Sequence, residues 1–152
     1  MTLPLNFDRL FDVNLQLKDS GSAVTADALA TVGGSTATID VGSGAFLDAC
    51  LVVDVSAMDV TSTDESYKLR LIGSNSSSFA SGIAVLATLE LGVAASMSGG
   101  AGAADLSKTT GRWIVPFYNL AGTTIYQYLR LALDVGGTTP SITYTAFIAK
   151  DD

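Results

Sequence analysis

A chain of 152 residues with 48% hydrophobic and only 15% charged side chains, a net charge of -7, no histidine and one cysteine excludes several chemistries at once. Without histidine there is no Ser-His-Asp or Cys-His nucleophile system and no mixed Cys/His zinc site, and Cys50 alone forms no intramolecular disulfide. Eight Lys and Arg side chains against fifteen Asp and Glu neutralise too few phosphates for nucleic-acid binding.

The length fits one domain over residues 1–152, able to bury about 70% of the unfolded chain's surface without a metal or disulfide. Soluble domains average about 25% charged residues, so this surface is charge-poor. Glu occurs only at Glu65 and Glu90. Depletion of Lys and Glu is a trait of surface that becomes interface, which hints at assembly.

The N-terminal segment MTLPLNFDRLF carries Asp8 and Arg9 and has no apolar stretch long enough for a secretory signal. Its Leu3, Leu5, Phe7, Leu10 and Phe11 are apolar without amounting to a core. Residues 1–30 therefore read either as an arm lying on another protein or sister subunit, or as a first strand buried at home. Alternation at 10–17 sets Phe11, Val13, Leu15 and Leu17 against Asp12, Asn14 and Gln16 and predicts a strand. Asp19-Ser20-Gly21 matches the loop in which aspartic proteases share a proton between two carboxylates. Asp-Ser-Gly is also an ordinary turn, and Lys18 beside it denies the apolar setting a dyad needs.

Residues 26–30 offer at best one helical turn, and Gly33-Gly34 marks a turn. Strands follow at 36–41 and 51–59, the latter with Leu51, Val53, Val55 and Ala57 on its inner face. Asp59, Asp64 and Glu65 would supply oxygens to Ca²⁺, but the spaced Asp/Asn ladder and central Gly of such a loop are missing, so the segment reads as a solvated hairpin tip. Tyr67, Leu69 and Leu71 alternate with Lys68 and Arg70, and Gly73-Ser74-Asn75 signals the next turn. Residues 71–89 are uncharged but too rich in Ser and Gly to span a membrane. The strand at 83–91 is expected to turn Ile83, Val85, Ala87, Leu89 and Leu91 inward.

The Gly/Ala-rich stretch 92–104 reads as a loop; its Gly99-Gly100-Ala101-Gly102 lacks the Gly-Lys-Ser/Thr of a phosphate loop. In 112–118, Trp113, Val115 and Phe117 face inward, and Pro116 demotes the strand to a sheet edge or forces a bulge there. The strand 126–135 buries Leu129, Leu131, Leu133 and Val135 and presents Tyr126, Tyr128, Arg130 and Asp134 outward. Tyr and Arg are the side chains enriched at protein anchors. The competing reading has the tyrosines merely covering the sheet and Arg130 pairing with Asp134. Gly136-Gly137 and Thr139-Pro140 precede a last strand at 141–149. The sum is an all-β, two-sheet jelly-roll sandwich of about eight antiparallel strands.

Five segments carry a family resemblance: Ile39-Asp40-Val41-Gly42, LVVDVSAMD (51–59), LRLIGSNSSSFAS (69–81), YLRLALDVGG (128–137) and TAFIAKDD (145–152). In this order they resemble the jelly-roll capsid cement, or decoration, proteins of short-tailed bacteriophages. The resemblance implies a non-enzymatic virion protein, made in the host cytoplasm, without cofactor or metal. It implies a place on the outer surface of the head, clamping neighbouring major capsid protein subunits, and self-association as a homodimer in preference to a trimer. The segment through Thr31 and the 92–108 loop depart from the family pattern and inherit no role. On this reading Leu3, Leu5, Phe7, Leu10, Phe11, Tyr126, Tyr128 and Arg130 are the expected contact residues, with no nucleic acid and no membrane as partner. A carbohydrate-binding jelly roll is the alternative, with Trp113, Tyr118 and Tyr144 as aromatic platforms; a dimeric aspartic protease at Asp19 is the remote one.

Overall fold

The computed structural model describes residues 12–92 and 110–150. The chain is all-β: a 3₁₀ turn at Val13–Leu15 precedes β1 (Gln16–Lys18), β2 (Ala28–Leu29), β3 (Thr31–Val32), β4 (Ser35–Thr36), β5 (Ile39–Asp40), β6 (Asp48–Met58), β7 (Ser66–Ser74), β8 (Ala84–Gly92), β9 (Gly111–Tyr118), β10 (Leu120–Ala121), β11 (Thr124–Ile125), β12 (Tyr128–Gly136) and β13 (Ile142–Lys150). Every pairing between these strands is antiparallel. One sheet runs β1-β13-β6-β9; the other runs β2-β12-β7-β8, with β5 also paired to β12. Two small ribbons, β3-β4 and β10-β11, hang from these sheets.

The six long strands fall where apolar side chains alternate, because each inner set has a partner set across one shared core. Leu51, Val53, Val55, Phe117, Ile142, Tyr144, Ala146 and Ile148 come from the first sheet. Tyr67, Leu69, Leu71, Leu129, Leu131 and Leu133 come from the second. Burial of each large side chain contributes roughly 1.5–3 kcal/mol, so this set dominates stability. Pro116 does lie on an edge strand, since β9 closes the first sheet.

Three local expectations change. The alternation at 10–17 is cut short: Asp12 Oδ1 accepts the Asn14 amide, starting the 3₁₀ turn, and only Gln16–Lys18 pairs as strand. Leu17 reaches the core while Val13 stays exposed. The helical turn at 26–30 is absent, for Ala28 and Leu29 pair with β12. The strand at 36–41 is reduced to Ile39–Asp40, Thr36 being taken by the β3-β4 hairpin over Gly33-Gly34. Both glycines there have positive φ, as a two-residue hairpin turn demands.

Two β-bulges reverse the predicted faces. Tyr144 opposes Val55 and Thr143 opposes Ala57, leaving Ser56 as the extra residue. Beyond it the side-chain phase inverts, so Met58 packs on the core and Ala57 is exposed. In the second sheet Leu71 opposes Ala87 and Ile72 opposes Val85, which makes Leu86 the extra residue. Leu86 turns inward, and Val85 and Ile83, expected inside, are each 52% exposed.

Polar ties fix the loops. The Tyr67 hydroxyl donates to Asp59 O at 2.6 Å and accepts the Ser141 amide at 2.9 Å, joining the β6-β7 loop to the start of β13. Burial raises its pKa above the ordinary tyrosine value, and the Ser141 bond offsets part of that rise. Asn119 is fully buried and spends its whole carboxamide. Oδ1 accepts the Leu47 amide at 2.7 Å, and Nδ2 donates to Ala45 O at 2.8 Å and Tyr126 O at 2.9 Å. Replacing Asn119 by Ala strands three backbone groups, and chemical denaturation should register a loss of at least about 2 kcal/mol. A loss under about half that would show these groups to be solvated instead.

Asp64 accepts from both the amide and the hydroxyl of Thr138, at 2.9 Å each, and these bonds hold its carboxyl below the usual value of 3.8. Asp59 is lowered in the same way by Thr61. A lowered folded-state value gives stability that is complete above 3.8 and is lost as pH falls through the lower folded value. Thermal midpoints measured from neutral to acid pH should therefore drop below that point, and Asp64→Asn should flatten the drop while lowering the neutral-pH midpoint. Parallel curves for the two proteins would remove Asp64 from the account.

Candidate interaction surface

The outer faces of the two sheets differ in chemistry. On the second sheet the outward side chains of β7, β8 and β12 include five charges beside the exposed Val85, and these charges are answered within the chain. Lys68 lies 3.3 Å from Glu90, and Arg70 pairs with Asp134 diagonally across the β7-β12 ladder. The expected Arg130–Asp134 pair is thus corrected, because the register sets Arg70 nearer to Asp134. Arg130 instead donates from Nε to Thr38 Oγ1 at 2.8 Å and from Nη2 to Ser77 O at 3.0 Å. Its guanidinium sits 4.2 Å from the Phe79 ring centroid. Phe79 has φ near +57°, strained for a side chain with a Cβ, and its amide is held by Ser76 O.

Of the residues expected to make contacts, Tyr128 and Arg130 lie on β12, and Arg130 is engaged with its own loops. Tyr126 stands apart from them. Its Cβ would be 2.8 Å from a Cβ at Gly73, whose bare inner side leaves room for Tyr126 and Leu86 at the end of the core. Leu3, Leu5, Phe7, Leu10 and Phe11 lie outside the described residues, as does most of the 92–104 loop.

On the first sheet the outward face is apolar. Val52, Phe147 and Ala149 form a second, separate hydrophobic cluster, with Val52 opposite both Phe147 and Ile114. Cys50, buried, lies opposite Ala149 and Pro116. One end of the face is closed by Arg112, which binds Asp54 through two bonds of 2.7 and 2.8 Å and lies 5.7 Å from the Phe147 ring. Asp54 in turn holds the Arg112 guanidinium more firmly protonated. Along the edge, Ile114, Pro116 and Tyr118 point outward from β9, since Trp113, Val115 and Phe117 turn to the core. Phe46 stacks on Tyr118 with ring centroids 5.7 Å apart, and each ring is 55% exposed. Asn119 fixes this pair, because it grips the backbone on both sides of Phe46 and directly follows Tyr118. Pro116 offers no N–H to a strand arriving from outside, so this edge favours side-chain contact over strand addition.

The remaining sequence candidates have structural occupations. Asp19 Oδ2 accepts the Gly33 amide at 2.7 Å, pinning the β3-β4 turn. Asp19 Oδ1 lies 3.8 Å from the buried Lys18 ammonium, which also donates to Asp19 O and sits 5.9 Å from the Tyr144 ring centroid. A side chain at Gly21 would crowd that ammonium, so Asp-Ser-Gly wraps a lysine. Asp59 and Glu65 accept the Thr61 and Ser62 amides of their own β6-β7 loop and Asp64 reaches Thr138, and among the described residues no three His, Cys, Asp or Glu side chains gather as a metal site. Trp113 packs on the core and Tyr144 is buried in it, leaving Tyr118 as the exposed member of the expected aromatic platforms. Burial drives the Tyr144 hydroxyl well above the ordinary tyrosine range. Among the described residues no helix is long and apolar enough to cross a membrane.

The edge strip is not among the contact residues expected from sequence. Its signal was present: Ile114, Pro116 and Tyr118 make the second face apolar too, on a strand marked as an edge by its proline. Set against known proteins, the chain matches no protein-family model and no curated protein.

Arg130 makes a separable prediction. Arg130→Ala removes two hydrogen bonds and the ring contact that hold Phe79, and should cost about 1–2 kcal/mol in urea denaturation. Tyr128→Ala should stay within about 0.5 kcal/mol. Equal effects would return Arg130 to the status of an ordinary surface side chain.

Proposed function

We propose that this chain is a non-enzymatic capsid cement protein, a jelly roll that sits on the outer surface of a phage head and staples neighbouring major capsid protein subunits. The observation that carries the reading is the strip of Ile114, Pro116, Tyr118 and Phe46 on the outer edge of the first sheet. Large aromatic rings left exposed on a charge-poor body are costly in a free monomer and useful in a partner's pocket. The strand orders β1-β13-β6-β9 and β2-β12-β7-β8 support the finer fold, since early and late strands alternate within each sheet as in a rolled-up Greek key. Many modest contacts repeated over a symmetric shell give strong attachment by avidity, so no deep site is required of each copy. Self-association as a homodimer, with a trimer as the other choice, belongs to the same proposal.

The test is cosedimentation of the purified chain with expanded phage heads stripped of it. Attachment at a fixed ratio to capsid subunits is expected, and Phe46→Ala with Tyr118→Ala should weaken it at least about tenfold. The double variant should keep its stability to within about 1 kcal/mol, since neither ring is in the core. Absence of attachment to any assembled shell would overturn the function, whereas attachment indifferent to the double variant would overturn only the strip as its contact.

A further inference from the structure

The loop between β7 and β8 and the β10-β11 ribbon enclose an open cleft of about 430 Å³ at one end of the second sheet, lined by Asn75, Ser76, Ser81, Gly82, Thr124 and Tyr126. Its volume lies within the roughly 300–1,000 Å³ of small-molecule sites. Three features bear on what it would accept. First, none of these six side chains carries a charge at neutral pH, on a chain with a net charge of -7. Second, the walls are already fixed by the protein's own bonds. Asn75 Nδ2 donates to Ile125 O at 3.0 Å while its Oδ1 accepts the Gln127 amide at 2.8 Å, so one carboxamide ties the two walls together. Ser74 Oγ donates to Ser81 O and accepts the Ser76 amide, fixing the serine-rich loop. The carboxamide of Asn119 binds Tyr126 O, and the Tyr126 amide returns a bond to Asn119 O.

Third, the hydroxyls of Ser81, Thr124 and Tyr126 take no part in that scaffolding: no described residue donates to them or accepts from them. The cleft therefore combines rigid walls, three uncommitted hydroxyls that can each donate and accept, and one aromatic side chain. Unspent hydroxyls preordered around a concave, uncharged surface suit a ligand that is itself neutral and dense in hydroxyls, because each new bond costs little further ordering. Gly82, with φ near +62° and open space where a Cβ would stand, lets such a ligand approach the backbone.

We infer that this cleft binds a neutral saccharide. The site is separate from the Phe46–Tyr118 strip and does not depend on the chain being a capsid protein. It also differs from the aromatic platforms expected from sequence, of which Trp113 and Tyr144 are turned to the core.

The experiment is an NMR titration of the full isotope-labelled chain with glucose, galactose, N-acetylglucosamine, maltose and lactose, each to roughly 20 mM. Saturable shifts are expected at Ser76, Ser81, Gly82, Thr124 and Tyr126 with at least one sugar. Ser81→Ala with Thr124→Val should weaken that binding about tenfold or more. Tyr126→Phe, which keeps the ring against Gly73, serves as an independent variant if the double variant does not fold, and should weaken binding severalfold. No saturable shift with any of these sugars overturns the inference. So do shifts centred elsewhere on the chain, binding unaffected by the variants, or binding of glucuronate in place of the neutral sugars. Head attachment measured on the same variants should be unchanged, so a failure here is distinguishable from a failure of the cement reading.

Discussion

One buried carboxamide organises both the Phe46–Tyr118 strip and the polar cleft. Asn119 sits at the end of β9, where the edge strand leaves the first sheet and the chain crosses toward β12. Its side chain saturates the backbone at Ala45, Leu47 and Tyr126, in two segments that no strand ladder unites. Because the group is fully buried, each of those bonds is enforced by the cost of leaving a polar atom dry. The grip on residues 45 and 47 presents Phe46 to Tyr118, and the grip on residue 126 sets one wall of the polar cleft. Stability and surface display are thus the same interaction.

Around that point the protein divides its labour between two sheets. The charges on the outer face of the second sheet are answered internally, Lys68 by Glu90, Arg70 by Asp134, and Arg130 by its own loops. Exposed pairs of this kind add little stability, but they leave few uncommitted charges for a partner. On the first sheet the Val52–Phe147–Ala149 cluster is buried, and the exposed apolar surface is the strip of Ile114, Tyr118 and Phe46 at the β9 edge. The polar cleft is a separate feature, set between the β7-β8 loop and the β10-β11 ribbon.

The carboxylates that suggest catalysis or metal binding are mostly occupied with turns. Asp19 holds the Gly33 amide, Asp59 holds Thr61, and Asp64 holds Thr138 across the fold. Short acidic side chains in loops satisfy backbone donors that no ladder reaches, and this is their use here. The consequence is a fold whose loops, more than its core, feel acid.

The alternation of apolar side chains by itself determined the all-β class, the six long strands, the edge position of β9 through Pro116 and the inward setting of Trp113, Leu129, Leu131 and Leu133. Period-two burial is a local property, and a strand with one wet face writes it directly into the sequence. What alternation does not contain is the point where the period slips. Ser56 and Leu86 look like ordinary strand residues, and only the opposing strand's register makes them bulges that expose Ala57 and Val85. Partner choice is equally non-local: Asp134 takes Arg70 and leaves Arg130 to Thr38 and Ser77, because the relative slide of neighbouring strands fixes those distances. Asn119, Phe46 and the cleft belong to the same class, since they join residues fifty or more positions apart that meet only when both sheets have closed on the core.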